Sequence, residues 1–175
     1  DVDAAAQGFR YESPESHAGE PVGLRLRLTA PAGTLDMARL ALEAAAALVD
    51  AGAHRLECRS SGGALEASEW RALAADRSEQ ALARAFVAEH RGPHGAASSG
   101  MQSLGLADAV VEVEAGGALA RFTSDLIAGR LRPKEGQRFD AGAAFRLAHE
   151  PCTDVGREDP RFNPFGRWRL RSWTT

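Results

Sequence analysis

Residues 166–173 read GRWRLRSW, with Arg167, Arg169 and Arg171 on every second position and Trp168 and Leu170 between them. A period of two marks a strand, because successive side chains point to opposite faces. The same alternation appears at 22–30, VGLRLRLTA, where Val22, Leu24, Leu26 and Leu28 interleave with Gly23, Arg25, Arg27 and Thr29. It returns at Val111 and Val113 against Glu112 and Glu114, and in QRFDA and AAFRLAHE before the final strand. HRLECRS adds a strand with Leu56 and Cys58 on one face, ended by SGG.

Between these strands the spacing becomes helical. Thr34 offers an N-cap to LDMARLALEAAAALVDAG, whose expected apolar face is Met37, Leu40, Ala44 and Leu48, with Gly52 as the stop. Ser68 is the expected cap of EWRALAADR, and Ser78 that of EQALARAFVAEH, with Leu82, Phe86 and Val87 forming its stripe. RGPHGAASSG reads as a loop by its glycine and proline. ALARFTSDLIAGR places Leu119, Phe122, Leu126 and Ile127 on one helical face. The order of strand, helix, strand, two helices, strand, helix and a strand-rich end is not a regular alternation. It predicts an α+β fold, a mainly antiparallel sheet with three to four helices packed on it. Residues 1–21, without a period, read as a flexible N-terminal arm, and 22–175 as a single α+β domain.

The chain has 175 residues, 44% of them hydrophobic, enough for a core without staples. Arginine supplies all but one of its 21 basic residues, Lys134 being the exception, and alanine is abundant, a composition expected of a GC-rich bacterial genome. The formal charge of -3 argues against a general polyanion binder, which needs surplus cations to displace counterions from phosphates. No apolar run approaches the roughly 18 to 20 residues of a membrane helix, so no membrane partner is expected. The sequence opens without methionine, and an upstream segment is expected; the location is left open, the cytoplasm being favoured over the periplasm. Cys58 and Cys152 fit neither a disulfide framework nor a zinc motif.

Three readings of the C-terminal strand compete. A solvated face, its arginines neutralised across strands by Glu112 and Glu114, is the plainest. A partner-binding face made of Arg167, Trp168, Arg169, Arg171 and Trp173 follows from the enrichment of Arg and Trp at interfaces. Aromatics alternating with arginine also suit single-stranded nucleic acid, which the net charge disfavours. For metals, His90 and His94 lie four apart, and His149 and Cys152 three apart, but Gly92, Pro93 and Pro151 deny either pair a regular element. The serines of SGG (61–63) and SSG (98–100) lack the G-x-S-x-G frame of a nucleophile elbow. Glu158 and Asp159 are adjacent acids of a turn. No catalytic residue, metal site or cofactor is expected. Trp70, opening the WRALA stripe with Leu73, is expected to be buried.

SSGMQSLGLADAVVEVE, with GGALEASEWRALA upstream and KEGQRFDAGAAFRLAHE downstream, resembles an uncharacterised bacterial α+β domain family, some of whose members lie near secretion and toxin-immunity genes. The resemblance covers residues 22–173 in order of elements. The histidine expected before Trp70 is absent, the spacer reading ALEASE. The resemblance implies a small non-catalytic domain, an immunity or accessory protein whose partner is a secreted effector or toxin. The alternative expectation is a metal-dependent hydrolase using His90, His94 and His149.

Overall fold

In the computed structural model, which describes residues 9–12, 25–28, 34–53, 55–93, 95–112 and 117–173, Phe9–Glu12 (β1) pairs antiparallel with Arg25–Leu28 (β2). Most of residues 1–21, read as a flexible arm, lie outside the described residues. Phe9 and Tyr11 alternate with Arg10 and Glu12, a strand pattern too short to stand out among its Ala, Ser and Pro neighbours. The hairpin belongs to a compact unit of residues 1–32, and residues 33–175 form a second. The strand at 25–28 falls in the first unit.

In the second unit, α1 (Leu35–Asp50) starts as expected, the Thr34 hydroxyl accepting from Met37 N at 3.2 Å. Its buried face is different from the expected one. Ala38, Leu42, Ala45 and Val49 are inside, and Leu40 is 38% exposed. A shift of one position turns a helix by about 100°. The expected stripe followed the larger side chains, whereas the small Ala38 and Ala45 let α1 lie close to α2 (Ala67–Asp76) and α3 (Glu79–Phe86).

β3 (Arg55–Cys58) folds back on β4 (Gly63–Glu66), a partner strand the sequence did not suggest. The α2 cap is Glu66 rather than Ser68, and Glu69 returns a carboxylate to Glu66 N at 3.4 Å. Ser78 does cap α3, accepting from Ala81 N at 3.1 Å. That helix stops at Phe86, with Val87 already extended, instead of running to His90. Ala88–Gly92 becomes β5 and Gly95–Ser99 becomes β6, so the expected loop is a hairpin. Gly95 sits at φ 129°, where a Cβ would stand 1.9 Å from the Val111 carbonyl. Only glycine lets β6 approach its neighbour here.

A 3-10 turn, Met101–Leu104, leads to β7 (Asp108–Val111), α4 (Ala118–Ile127), β8 (Arg138–Asp140), β9 (Ala144–Glu150) and β10 (Arg167–Ser172). Val113 and Glu114 lie outside the described residues. The six-stranded sheet runs β5-β6-β7-β10-β9-β8, antiparallel at every joint except the parallel β7–β10 pair. Together with the β3–β4 hairpin and four helices this is an α+β fold with a mainly antiparallel sheet. No described helix is long and apolar enough to cross a membrane. Ala109 and Val111, Leu170, Phe145 and Leu147, and Phe139 face the helices, where Phe122, Leu126, Leu82, Trp70 and Met101 meet them in one core.

Candidate functional site

Because Leu170, Leu147 and Phe139 point into the core, alternation turns Arg167, Arg169, Arg171, Arg146 and Arg138 to the opposite face of the sheet. The register brings Glu150 of β9 opposite Arg167. Arg169 grips Glu150 with two parallel bonds, Nε to Oε1 and Nη2 to Oε2, both 2.9 Å, and donates from Nη1 to Glu112 at 2.6 Å. Arg171 reaches Glu150 at 3.0 Å, and Arg167 bonds Asp154 and stands 3.6 Å from Glu150. This is the fork geometry that makes arginine–carboxylate pairs strong. Hydrogen bonds from Arg169, above all, hold the Glu150 carboxyl below its ordinary pKa, and Glu150 in turn raises that of Arg169.

The five residues read from the C-terminal strand therefore separate. Arg167 and Arg169 keep only 22% and 21% of their side-chain surface, and their guanidinium groups are engaged by carboxylates. Trp168 lies on the helix side of the sheet, half-buried, its ring 4.7 Å from that of His149. Arg171 retains 55% of its side-chain surface and Trp173 is 37% exposed. Arg138 from β8 lies 5.9 Å over the Trp173 ring. Glu112 is a partner of the arginines, as the sequence suggested. Glu150, the principal one, was missed, since which residue faces Arg169 depends on strand register.

The loop from Pro151 to Gly166 is tied to the sheet by a buried pair. Asn163, 1% exposed, donates Nδ2 to Asp108 Oδ2 at 2.8 Å and to the Leu106 carbonyl at 3.0 Å. Met101 N reaches the other Asp108 oxygen at 3.2 Å. Burial pushes the Asp108 carboxyl up to about 6, against the pull of these donors, of Ser98 and of His90. Asp159 in the same loop goes the other way, to about 2, because Arg161 hydrogen-bonds it. Its neighbour Glu158 makes no pair with it.

The two serine motifs meet. Ser99 donates to the Ser61 carbonyl at 3.0 Å, and His90 Nε2 is 2.7 Å from the Ser99 oxygen. With its proton on Ser61, the Ser99 hydroxyl accepts from His90, so the trio straps the β5–β6 hairpin to the β3–β4 turn. Ser98 is buried and accepts from Ala109 N at 2.8 Å. Cys58 contacts Ser60 at 3.1 Å, and Ser60 contacts Ser103 at 2.7 Å; neither Cys58 nor Cys152 is in a disulfide.

No family model matches the chain, and no curated protein and no solved structure is similar enough to match it.

The histidines do not converge. His90 is on the edge strand β5 and His149 on β9, four strands away, about 19 Å at the usual strand spacing. They also point to opposite faces, and His149 Nε2 is bonded to the Phe165 carbonyl at 2.8 Å. His94 lies outside the described residues, among which no three His, Cys, Asp or Glu side chains gather in a metal-binding arrangement.

Proposed function

We propose that the chain is a non-catalytic protein-binding domain, an immunity or accessory protein for a secreted effector or toxin, that meets its partner on the outer sheet face at the end of β10. The observation that carries this reading is Trp173, exposed beside Arg138 and Arg171 at the end of a strand whose other arginines are already held by carboxylates. Tryptophan and arginine dominate binding hot spots because they bury large area and keep a polar handle. The rigid ion-paired strand behind them holds the surface in one shape, which lowers the entropy lost on association. The resemblance of SSGMQSLGLADAVVEVE to a family near secretion and toxin-immunity genes supports the class of partner.

The test is a photo-crosslinking amino acid at position 173, irradiated in the native cell, followed by affinity measurement with the captured protein. Binding that falls at least tenfold in Trp173→Ala, with folding retained, supports the reading. Equal binding by parent and variant removes this face from the function.

A further inference from the structure

Arg171 stands directly opposite Arg146 across β10 and β9, and Arg146 directly opposite Arg138 across β9 and β8. Three guanidinium groups thus lie in one row across three strands on the outer face. Like charges placed directly opposite each other destabilise a sheet, so each would be expected to carry its own counter-charge. Two have one: Arg171 shares Glu150 with Arg169, and Arg138 has Asp140. Among the described residues Arg146, the middle one, has no carboxylate within ion-pair distance. Arg146 is exposed, and its guanidinium lies at the contact distance of a Cβ added at Gly136, 3.7 Å. Trp173 lies beside the row, its amide bonded to the Ala144 carbonyl at 2.8 Å and its ring under Arg138.

We infer that the Arg138–Arg146–Arg171 row, with Trp173 beside it, docks an acidic segment of the protein partner, one carboxylate of which pairs with Arg146. This deepens the proposed protein-binding role and rests on it. The unpaired guanidinium presents a planar fork that matches a carboxylate, and Arg138 and Arg171 flank it on the two neighbouring strands, adding positive charge on either side. A nucleic-acid strand fits less well. Asp140, Glu150 and Glu112 interrupt the face, and a formal charge of -3 opposes a long polyanion.

The experiment titrates isotope-labelled full chain with hexaglutamate, hexaglutamine and a six-nucleotide oligothymidine, following the three indole N–H signals, each assigned by substitution. Hexaglutamate is expected to shift the Trp173 signal, with Trp70 unmoved, and hexaglutamine to leave both in place. Arg146→Gln should weaken that binding at least fivefold, and Arg71→Gln, an exposed arginine paired with Asp50 on the helical side, should not. An unmoved Trp173 signal, an Arg146→Gln protein that binds as the parent does, or tighter binding of oligothymidine overturns the inference. Should the partner crosslinked at 173 still lose affinity with Trp173→Ala when hexaglutamate fails, the protein-binding role stands and only the acidic recognition falls. Hexaglutamate binding as described, with no loss of partner affinity in Trp173→Ala, removes the proposed role and leaves an anion site.

Discussion

Arg169 and Glu150 form a two-bond fork across β10 and β9, Nε to Oε1 and Nη2 to Oε2 at 2.9 Å each, and the same carboxylate also serves Arg171. Replacing it by an amide leaves the guanidinium groups one neutral acceptor oxygen and sets an NH2 donor against them in place of the second. Glu150→Gln should cost about 1.5 to 3 kcal/mol, the range for hydrogen bonds to charged groups. Glu112→Gln, which takes away one more exposed contact, should cost under about 1 kcal/mol. Urea denaturation separates the two, and equal costs would refute the central place given to Glu150. Since the Glu150 carboxyl is held below its ordinary 4.5, its contribution is present above that pH and is lost as acid titrates it through its lower folded value.

Asp108 has the opposite sign. Its folded pKa of about 6 lies above the ordinary 3.8, so the folded state holds a proton that the unfolded state releases. Stability from this group is fully present below about pH 4 and declines as pH rises to about 6, by on the order of 3 kcal/mol for a shift of two units. Asn163→Ala removes a donor to the charged carboxylate, so the Asp108 titration should move further up. The variant should then lose more stability at pH 8 than at pH 5. Carboxyl carbon NMR and paired urea melts measure both, and an equal loss at the two values would count against the account.

How far the sequence revealed these features depends on what local pattern encodes. Strands β8 to β10, α4 and the Thr34 and Ser78 caps are written in short-range periodicity, and the structure has them. The β5–β6 hairpin is not, because Leu82, Phe86 and Val87 continue a helical spacing up to the point where pairing with β6 takes over. The α1 face was misjudged for a related reason: alanine carries almost no burial signal, yet its small size sets how closely helices approach. Glu150 and Asn163 depend on register and on a long loop, which tertiary contacts alone decide.

Trp70 is 3% exposed and its ring lies 6.1 Å from that of Phe86. Trp70→Ala should cost about 3 to 5 kcal/mol by emptying this volume. Its indole N–H has no partner among the described residues, so Trp70→Phe loses volume but no hydrogen bond. That variant should lose less than half as much. Thermal melts of the two proteins check the ratio, and a Trp70→Phe loss equal to that of alanine would reveal a hidden acceptor.

Two glycines at nearly the same φ give a controlled comparison. Gly166, φ 73°, would place a Cβ 2.4 Å from the Glu150 carbonyl and about as close as contact permits to His149, whereas Gly142, φ 77°, meets nothing. Gly142→Ala carries only the left-handed backbone penalty, roughly 1 to 2 kcal/mol. Gly166→Ala adds a steric clash at the mouth of β10 and should cost clearly more, with altered amide signals at Glu150. Equal melting temperatures for the two variants would refute the close approach.

The parallel joint of β7 and β10 also bears on how the chain folds. Residues 108–111 meet residues 167–170 there, after the chain has passed through α4 and the β8–β9 hairpin. Strands β5 to β7 are neighbours in sequence, and so are β8 to β10, so each half of the sheet assembles from nearby segments, while this seam alone joins distant ones. Pairing over such a separation carries a larger loop-closure cost than pairing of neighbours, and non-local contacts slow folding in general. Until β10 is in place, β7 and β9 each keep an unpaired edge, so the sheet closes only when that strand arrives.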